Sequence, residues 1–301
     1  RRPEARPRTL SGMPERSASP LRLTPSAAGR PWGGGRFGTA DGLPVGELWV
    51  SGDEARLPDG RTLAAAGLAA TVPLVKVLDV DGLLSVQVHP DDALARAHHG
   101  PGAIGKHEMW VVLEARDGAY VYLGLASGSS GEELFTGDAH RVAAALVERR
   151  PTPRTTLDVP PGAVHAPGPG LLLYEVQQRS DLTYRAFDWG RPRPLHLEEA
   201  RRALRPTLDP VVGALPARSA AAADGAVTRV SDPGAPFALD HLFVPAGASP
   251  LTVDPGRAAI LSVTAGTLQL DGIEAAAGSH FYLPPGAHEV AGDGEALLAH
   301  D

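Results

Sequence analysis

The sequence contains no cysteine. Disulfide frameworks, thiolate metal sites and cysteine nucleophiles are therefore excluded, and any metal would fall to His, Asp, Glu or Gln. No stretch approaches the ~18 consecutive apolar residues of a membrane-spanning helix. Residues 1–20 are rich in Arg, Pro and Ser and lack the apolar segment of a secretory signal. Positive charge is not in excess either: 28 Lys+Arg stand against 35 Asp+Glu, a net charge of -7. Such a chain has no general attraction for nucleic acid or anionic membrane, so an anionic substrate would need a local basic pocket. These absences lead us to expect a soluble, cytoplasmic protein without nucleic-acid or membrane partners. The oligomeric state stays open, a monomer being compatible.

What is present points to a β-rich fold. At roughly 150 residues per domain, 301 residues suggest two domains or one large one. Hydrophobic residues at 43% and charged residues at 21% are ordinary for a globular chain. The 35 Gly and 29 Pro break helices and favour short strands joined by turns, as in sandwiches and barrels. Residues 1–29 read as an irregular lead-in. Strand patterns follow at 46–50, 72–80 and 83–89, with Asp81-Gly82 suggesting a hairpin between the last two. A second strand pair is expected at 110–113 and 119–123 around Asp117-Gly118. A short helix is expected over 93–98, and residues 132–149 form the best helical stretch. Strands resume at 155–159 and 171–178, a helix spans 197–204, and an Ala/Pro/Gly-rich stretch at 214–225 reads as a boundary.

Beyond it the short-strand pattern repeats. Leu157-Asp158-Val159-Pro160-Pro161-Gly162-Ala163-Val164-His165 and Phe281-Tyr282-Leu283-Pro284-Pro285-Gly286-Ala287-His288 both read strand, Pro-Pro-Gly turn, histidine. This suggests a duplicated small barrel. The copies differ by one residue between Gly and His, which in a strand turns the side chain to the other face. His288 is thus expected not to point where His165 does, leaving one functional barrel and one degenerate one.

The chemistry concentrates in the first copy. Gln87 and His89 lie two apart on a strand and share a face. Glu108 stands just before the strand that begins at Trp110, and His165 follows the Pro-Pro-Gly turn. Two imidazoles and a carboxylate make a three-ligand site with open positions, an arrangement suited to catalytic zinc, and Gln87 could add a neutral oxygen. A chain with 11 histidines also presents such triplets by chance, so ordinary hydrogen-bonded histidines are the competing reading.

Longer motifs surround these residues. They include Arg30-Pro31-Trp32-Gly33-Gly34, Gly46-Glu47-Leu48-Trp49, Ser85-Val86-Gln87-Val88-His89-Pro90-Asp91-Asp92 and Gly105-Lys106-His107-Glu108-Met109-Trp110. Further on come Pro161-Gly162-Ala163-Val164-His165-Ala166 and the run from Tyr174-Glu175 through Asp181 and Arg185 to Trp189. In this order they resemble the type I mannose-6-phosphate isomerases, in particular the short bacterial forms. The resemblance implies a mainly β, cupin-type barrel (jelly roll) with a few helices, followed by a smaller degenerate cupin-like domain. The implied organisation is a catalytic domain over 30–195, a helix and linker over 196–225, and the smaller domain over 226–301. The resemblance also implies one Zn2+ held by Gln87, His89, Glu108 and His165, and interconversion of mannose 6-phosphate and fructose 6-phosphate.

Lys76, Lys106, Asp181 and Arg185 carry over at the family's spacings, and Glu175 matches an acidic pocket position. Their chemistry suits the task. Aldose–ketose conversion moves a proton between C1 and C2 through an enediol, which requires a base within ~3 Å of the proton. Asp181 and Glu175 qualify, as would Lys106 if burial lowered its pKa. Arg185 can grip an oxyanion bidentately, and Lys76 and Lys106 supply the remaining positive charge for a phosphorylated hexose. Bland readings stand beside these: Lys76 as a lysine emerging at a strand end, Arg185 paired with Asp181 or Asp188, Asp181 capping a turn, Glu175 facing solvent. Trp32 is the tryptophan best suited to touch substrate; Trp49, Trp110 and Trp189 read as core. The competing functions are an iron oxygenase on a two-histidine, one-carboxylate cupin site, which has no need of phosphate-binding residues, and a catalytically silent sugar-binding cupin, which could dispense with Asp181 and Glu175.

Overall fold

A computed structural model describes residues 18–218 and 224–301. The protein is mainly β, with three antiparallel sheets layered face to face and a few short helices. The middle layer runs, in spatial order, Val212–Ala214, Thr155–Val159, Glu108–Ala115, Leu171–Gln177, Leu74–Val80, Leu43–Trp49 and Ser26–Gly29. On one side lies a five-stranded sheet of Tyr184–Phe187, Val86–Val88, His165–Pro167, Val121–Leu125 and Leu146–Arg149. On the other lies the C-terminal sheet, built around the long strands Ala259–Leu270 and His288–His300.

Strand alternation explains how one sheet serves two neighbours. Successive side chains point to opposite faces, and here both faces are covered. Leu78, Val80, Trp110, Val112, Leu171 and Leu173 pack with Val121 and Leu123 of the five-stranded sheet. Their sequence neighbours Val77, Met109, Val111 and Tyr174 pack instead against Leu239, Ile260 and Leu297 of the C-terminal sheet. The C-terminal sheet buries a further cluster of its own, including Leu261, Leu268, Phe281 and Leu298. The facing sheets are open at their edges rather than joined into a closed barrel.

Several expectations change. Leu74–Val80 and Val86–Val88 do not form a hairpin: the first pairs with Leu43–Trp49 and Leu171–Gln177, the second with His165 and Tyr184–Phe187 in the opposite sheet. The N–H groups of Asp81 and Gly82 donate to the Trp32 carbonyl at 2.9 Å, so this turn carries the chain across the sandwich instead of closing a ladder. Glu108–Ala115 and Val121–Leu125 are likewise in different sheets. The expected helix over 132–149 is broken into a 3-10 turn Glu132–Phe135, a helix Ala139–Ala144 and a strand Leu146–Arg149. Gly137, at φ 76, interrupts it, and the Asp138 carboxylate restarts it by accepting from the N–H groups of His140 and Arg141. Part of the lead-in is regular: Leu21–Leu23 pairs with His280–Leu283, and Ser26–Gly29 with Leu43–Trp49. The rest of it, residues 1–17, lies outside the described residues. In the 196–225 stretch, Val212–Ala214 pairs with Thr155–Val159, while residues 219–223 lie outside the described residues. Among the described residues no helix is long and apolar enough to cross a membrane.

Candidate metal centre and substrate pocket

The layering brings the two ends of the motif set together. His89 immediately follows Val86–Val88, and His165 opens His165–Pro167 beside it, with His165 directly opposite Gln87 in register. Glu108 begins its strand on the facing middle sheet. All three side chains are buried, and one ligand atom from each falls within 4.8 Å of the others. Glu108 Oε1 lies 3.4 Å from His89 Nε2 and 3.2 Å from His165 Nε2.

The tautomers favour a cation. His89 Nδ1 lies 2.9 Å from the Leu182 carbonyl, and His165 Nδ1 lies 3.0 Å from the Ala163 carbonyl. A carbonyl can only accept, so each Nδ1 carries the proton and each Nε2 turns a lone pair toward Glu108. Burial, then the neighbouring Lys106 charge, push the His89 pKa down to about 4, leaving a neutral imidazole at physiological pH. Among the described residues, His89 Nε2 and Glu108 Oε1 are buried without a well-formed hydrogen bond, Oε2 being met by Lys106. Unsatisfied acceptors in an interior cost free energy, and two imidazole nitrogens with a carboxylate are a donor set that zinc satisfies. Gln87 stands alongside, its amide Nε2 3.1 Å from His165 Nε2 and its Oε1 3.4 Å from the Ser85 hydroxyl.

In front of this cluster lies a cavity of about 490 Å³, lined among others by Lys76, Gln87, Lys106, Glu175, Asp181 and Arg185. Trp32 also borders it but is 4% exposed and packed among Leu78 and Leu84, so only part of the ring faces the cavity. A larger cavity, about 570 Å³, lies behind the middle sheet against Val77, Val111 and Tyr174 and contains none of these six residues.

Lys106 spans the boundary between cavity and cluster, its Nζ 2.9 Å from Glu108 Oε2 and 3.8 Å from Glu175 Oε1. The loop that carries it is pinned: the Gly105 N–H donates to Asp92 Oδ1, and the Gln178 amide bridges Asp92 Oδ1 to the His107 N–H. The His107 ring points to the other face, where it meets Asp158 at 2.8 Å. Burial alone would lower the Lys106 pKa, but the carboxylates of Glu108, Glu175 and Asp181 outweigh it and hold the amine above the ordinary lysine range. Lys106 is therefore an ammonium, which removes it from the candidate bases. Glu108 is correspondingly held well below the carboxylate range, chiefly the Lys106 charge overcoming burial. Glu175 goes the other way, pushed up to about 8 by burial and the adjacent Glu108 charge.

Lys76 occupies the middle of its strand, 2% exposed, not a strand end. Its Nζ bonds Asp181 Oδ1 at 3.0 Å, and the Lys76 charge in turn holds Asp181 below its usual range despite partial burial. Glu175 faces the interior, opposite Lys76 on one side and Trp110 on the other. Arg185 is opposite Gln87 in the five-stranded sheet. It pairs with neither Asp181 nor Asp188; Asp188 is taken by Arg191 and Arg193, each at 2.6 Å. Arg185 Nη1 donates to the Pro194 carbonyl at 2.8 Å, and among the described residues its buried Nε has no partner.

Sequence reasoning passed over Arg30, Glu47, Thr183 and Arg193, which border the same cavity. Lys76 and Lys106, already candidates, are the only lysines among 28 basic residues, and both are buried here. In the second copy of the Pro-Pro-Gly motif, His288 turns away, Nδ1 2.7 Å from Asp271 Oδ2 and Nε2 2.8 Å from the Pro284 carbonyl. Among the described residues, His89, Glu108 and His165 are the sole cluster of metal-ligating side chains.

No family model matches the sequence. Individual proteins do. A mannose-6-phosphate isomerase of Streptococcus mutans is 36% identical over 171 residues, 54% of this chain and 51% of that protein. The match thus spans about half of that relative's length. A Bacillus subtilis protein named as a probable mannose-6-phosphate isomerase is 30% identical over 234 residues, 64% of this chain and 70% of that protein. In fold, the crystal structure of the mannose 6-phosphate isomerase from Bacillus subtilis superposes with a TM-score of 0.76 at 24% identity, covering 94% of this chain and all of that one. With a cupin-type fold in common and this extent of sequence identity, the chain belongs to the mannose-6-phosphate isomerase family.

Proposed function

We propose that the protein is a zinc-dependent aldose–ketose isomerase that interconverts mannose 6-phosphate and fructose 6-phosphate through an enediol. The observation that carries this reading is the basic pocket set against the His89/Glu108/His165 cluster. In a chain of net charge -7, Lys76, Lys106 and Arg185 converge on one cavity. Among the described residues Arg185 has no carboxylate partner and keeps a free buried N–H, as a group reserved for an anionic ligand should.

His89, Glu108 and His165, with Gln87 beside them, would hold the metal. When bound, a divalent cation supplies a Lewis acid and a template for the sugar oxygens, stabilising charge that develops on the enediolate. The side chains do the rest. Arg185 and Lys76 bind the phosphorylated sugar and fix its register. Lys106, kept as an ammonium, offers its charge to the oxygen that becomes negative as C2 loses its proton. Glu175 is the carboxyl whose pKa, about 8, suits proton transfer near neutrality. In the forward direction it takes the proton from C2 while the C1 carbonyl oxygen gains one; the enediol then receives a proton at C1 as the C2 hydroxyl gives up its own. Asp181 stays ionised and steadies Lys76. The same basic set argues against an oxygenase, and the buried Glu175 against a silent binding module.

The test is a coupled assay in which purified protein receives mannose 6-phosphate and fructose 6-phosphate is followed, before and after chelation and after zinc readdition. Turnover that chelation abolishes and zinc restores is the expected result. Absence of turnover in zinc-replete protein removes the proposal.

A further inference from the structure

A row of cross-strand partners crosses the middle sheet at the pocket. Trp49 is opposite Lys76, Lys76 opposite Glu175, and Glu175 opposite Trp110. The two ionisable residues are thus flanked by indoles. Trp110 Nε1 points at Glu175 Oε1 from 3.4 Å. Trp49 lays its ring under the Lys76 ammonium, Nζ lying 4.0 Å from the ring centroid. The ring is itself tethered: Trp49 Nε1 donates to Glu47 Oε2 at 2.8 Å, and that same oxygen accepts from Arg30 Nη2 at 2.8 Å.

We propose that Trp49 is a positioning residue for Lys76, holding its ammonium against the pocket so that it meets the substrate's phosphate. The kinetic part of this inference rests on the isomerase reading above. A lysine ends in a compact charge on a flexible four-carbon stem and must be held to act at a fixed place. Asp181 supplies one contact, but its carboxylate is 58% exposed. The indole face completes the cradle through its quadrupole, and buried cation–π contacts are the stronger ones. Lys76 borders the cavity. All its other basic residues being arginine, this sequence keeps lysine at just two positions, 76 and 106.

The experiment compares wild type, Trp49→Leu and Trp49→Phe, all zinc-loaded. For Trp49→Leu, KM for mannose 6-phosphate should rise about tenfold, with kcat within about twofold, the pattern of lost binding made equally in ground and transition states. Trp49→Phe keeps a weaker π face and should recover most of the loss, within about threefold of wild type. A second readout needs no turnover: acetylation of Lys76 by an N-hydroxysuccinimide ester, followed by mass spectrometry with Lys106 as internal reference. Lys76 should react at least about fivefold faster in Trp49→Leu and little faster in Trp49→Phe, as expected if the loss of a desolvated contact frees the amine. Should Trp49→Leu fail to fold, the smaller shifts in Trp49→Phe carry both readouts. Unchanged KM with unchanged Lys76 reactivity overturns the proposal. So does a fall in kcat alone with a lowered melting temperature, which would make Trp49 merely structural. If wild type does not turn over mannose 6-phosphate, the isomerase reading fails, and the acetylation comparison still decides whether Trp49 positions Lys76.

Discussion

Replacing Glu108 by glutamine preserves its volume and removes its charge, and the consequences separate two roles of this carboxylate. As a ligand, Glu108 supplies the only anion of the cluster, placed 3.2 and 3.4 Å from the two imidazole nitrogens. Losing a partner one shell further out costs about 10–100-fold in metal affinity, so loss of Glu108 itself should exceed about 100-fold. As an ion-pair partner, Glu108 neutralises Lys106 at 2.9 Å. Breaking a buried pair ordinarily costs ~3–5 kcal/mol. Here a replacement is at hand. Glu175 lies 3.8 Å from Lys106 and is held up at about 8 by burial and by the charge of Glu108. Without that charge Glu175 ionises and takes over Lys106, at ~1.4 kcal/mol recovered per pKa unit. The single variant should therefore lose only ~1–2 kcal/mol, whereas Glu108→Gln with Glu175→Gln should lose the full ~3–5 kcal/mol. Urea unfolding of chelator-treated protein at pH 7 measures the second effect, and metal content by mass spectrometry after dialysis against zinc measures the first. A Glu108→Gln protein that retains one zinc per chain would refute the assignment of the site. A single variant as destabilised as the double would refute the exchange of partners.

Three further expectations follow from the same geometry. Arg185→Ala should keep its metal and lose about 100-fold in kcat/KM, or ~2.7 kcal/mol of transition-state binding; near-normal steady-state rates would confine Arg185 to holding the Pro194 carbonyl. His288→Ala should retain metal and activity while losing ~1–3 kcal/mol, because Asp271 and the Pro284 carbonyl forfeit their partner; loss of zinc in this variant would move the metal to the C-terminal half. Glu295 meets His241, Arg154 and Arg218, and although burial opposes ionisation these partners depress its pKa from 4.5 to about 2. Its contribution is complete above the unfolded value near 4.5 and disappears as pH falls through about 2. Allowing for the solvation of both arginines, Glu295→Gln should be ~2 kcal/mol less stable at pH 7 and converge on wild type near pH 2; unfolding curves that remain parallel across that range would contradict the linkage.

How much of this was legible in the sequence depends on how local each determinant is. The faces of individual candidate residues were readable because they follow short-range rules: period two puts Gln87 and His89 on one side, a Pro-Pro-Gly turn precedes His165, and a one-residue difference turns His288 elsewhere. Sheet membership was not. Asp81-Gly82 and Asp117-Gly118 signal reversals, yet a reversal does not say whether the returning strand joins its predecessor or crosses to the facing sheet. That choice is made by distant partners, such as the Trp32 carbonyl that receives both N–H groups of Asp81-Gly82. Leu21–Leu23 is illegible for the same reason, since its ladder partner His280–Leu283 lies near the far end of the chain. The charge state of Lys106 is not legible in the sequence, because the three carboxylates that outweigh its burial come from separate strands and a loop.

The site and the second half of the molecule are joined through the alternation of a single sheet. Lys76, Glu108, Trp110 and Glu175 face the candidate site; Val75, Val77, Met109, Val111, Tyr174 and Val176 face the C-terminal sheet. Among the described residues the C-terminal sheet contributes none to the pocket, yet it covers six apolar side chains whose exposure would each forfeit ~1.5–3 kcal/mol. A shift of the middle strands by one residue would exchange the two sets, burying Lys76 and Glu175 in the apolar seam and presenting Val77 and Tyr174 to the cavity. The packing of the seam thus enforces the register on which the site depends. The C-terminal sheet thereby has a task of its own: it makes the alternative register prohibitively costly, and so keeps Lys76, Glu108 and Glu175 on the one face that meets the candidate site.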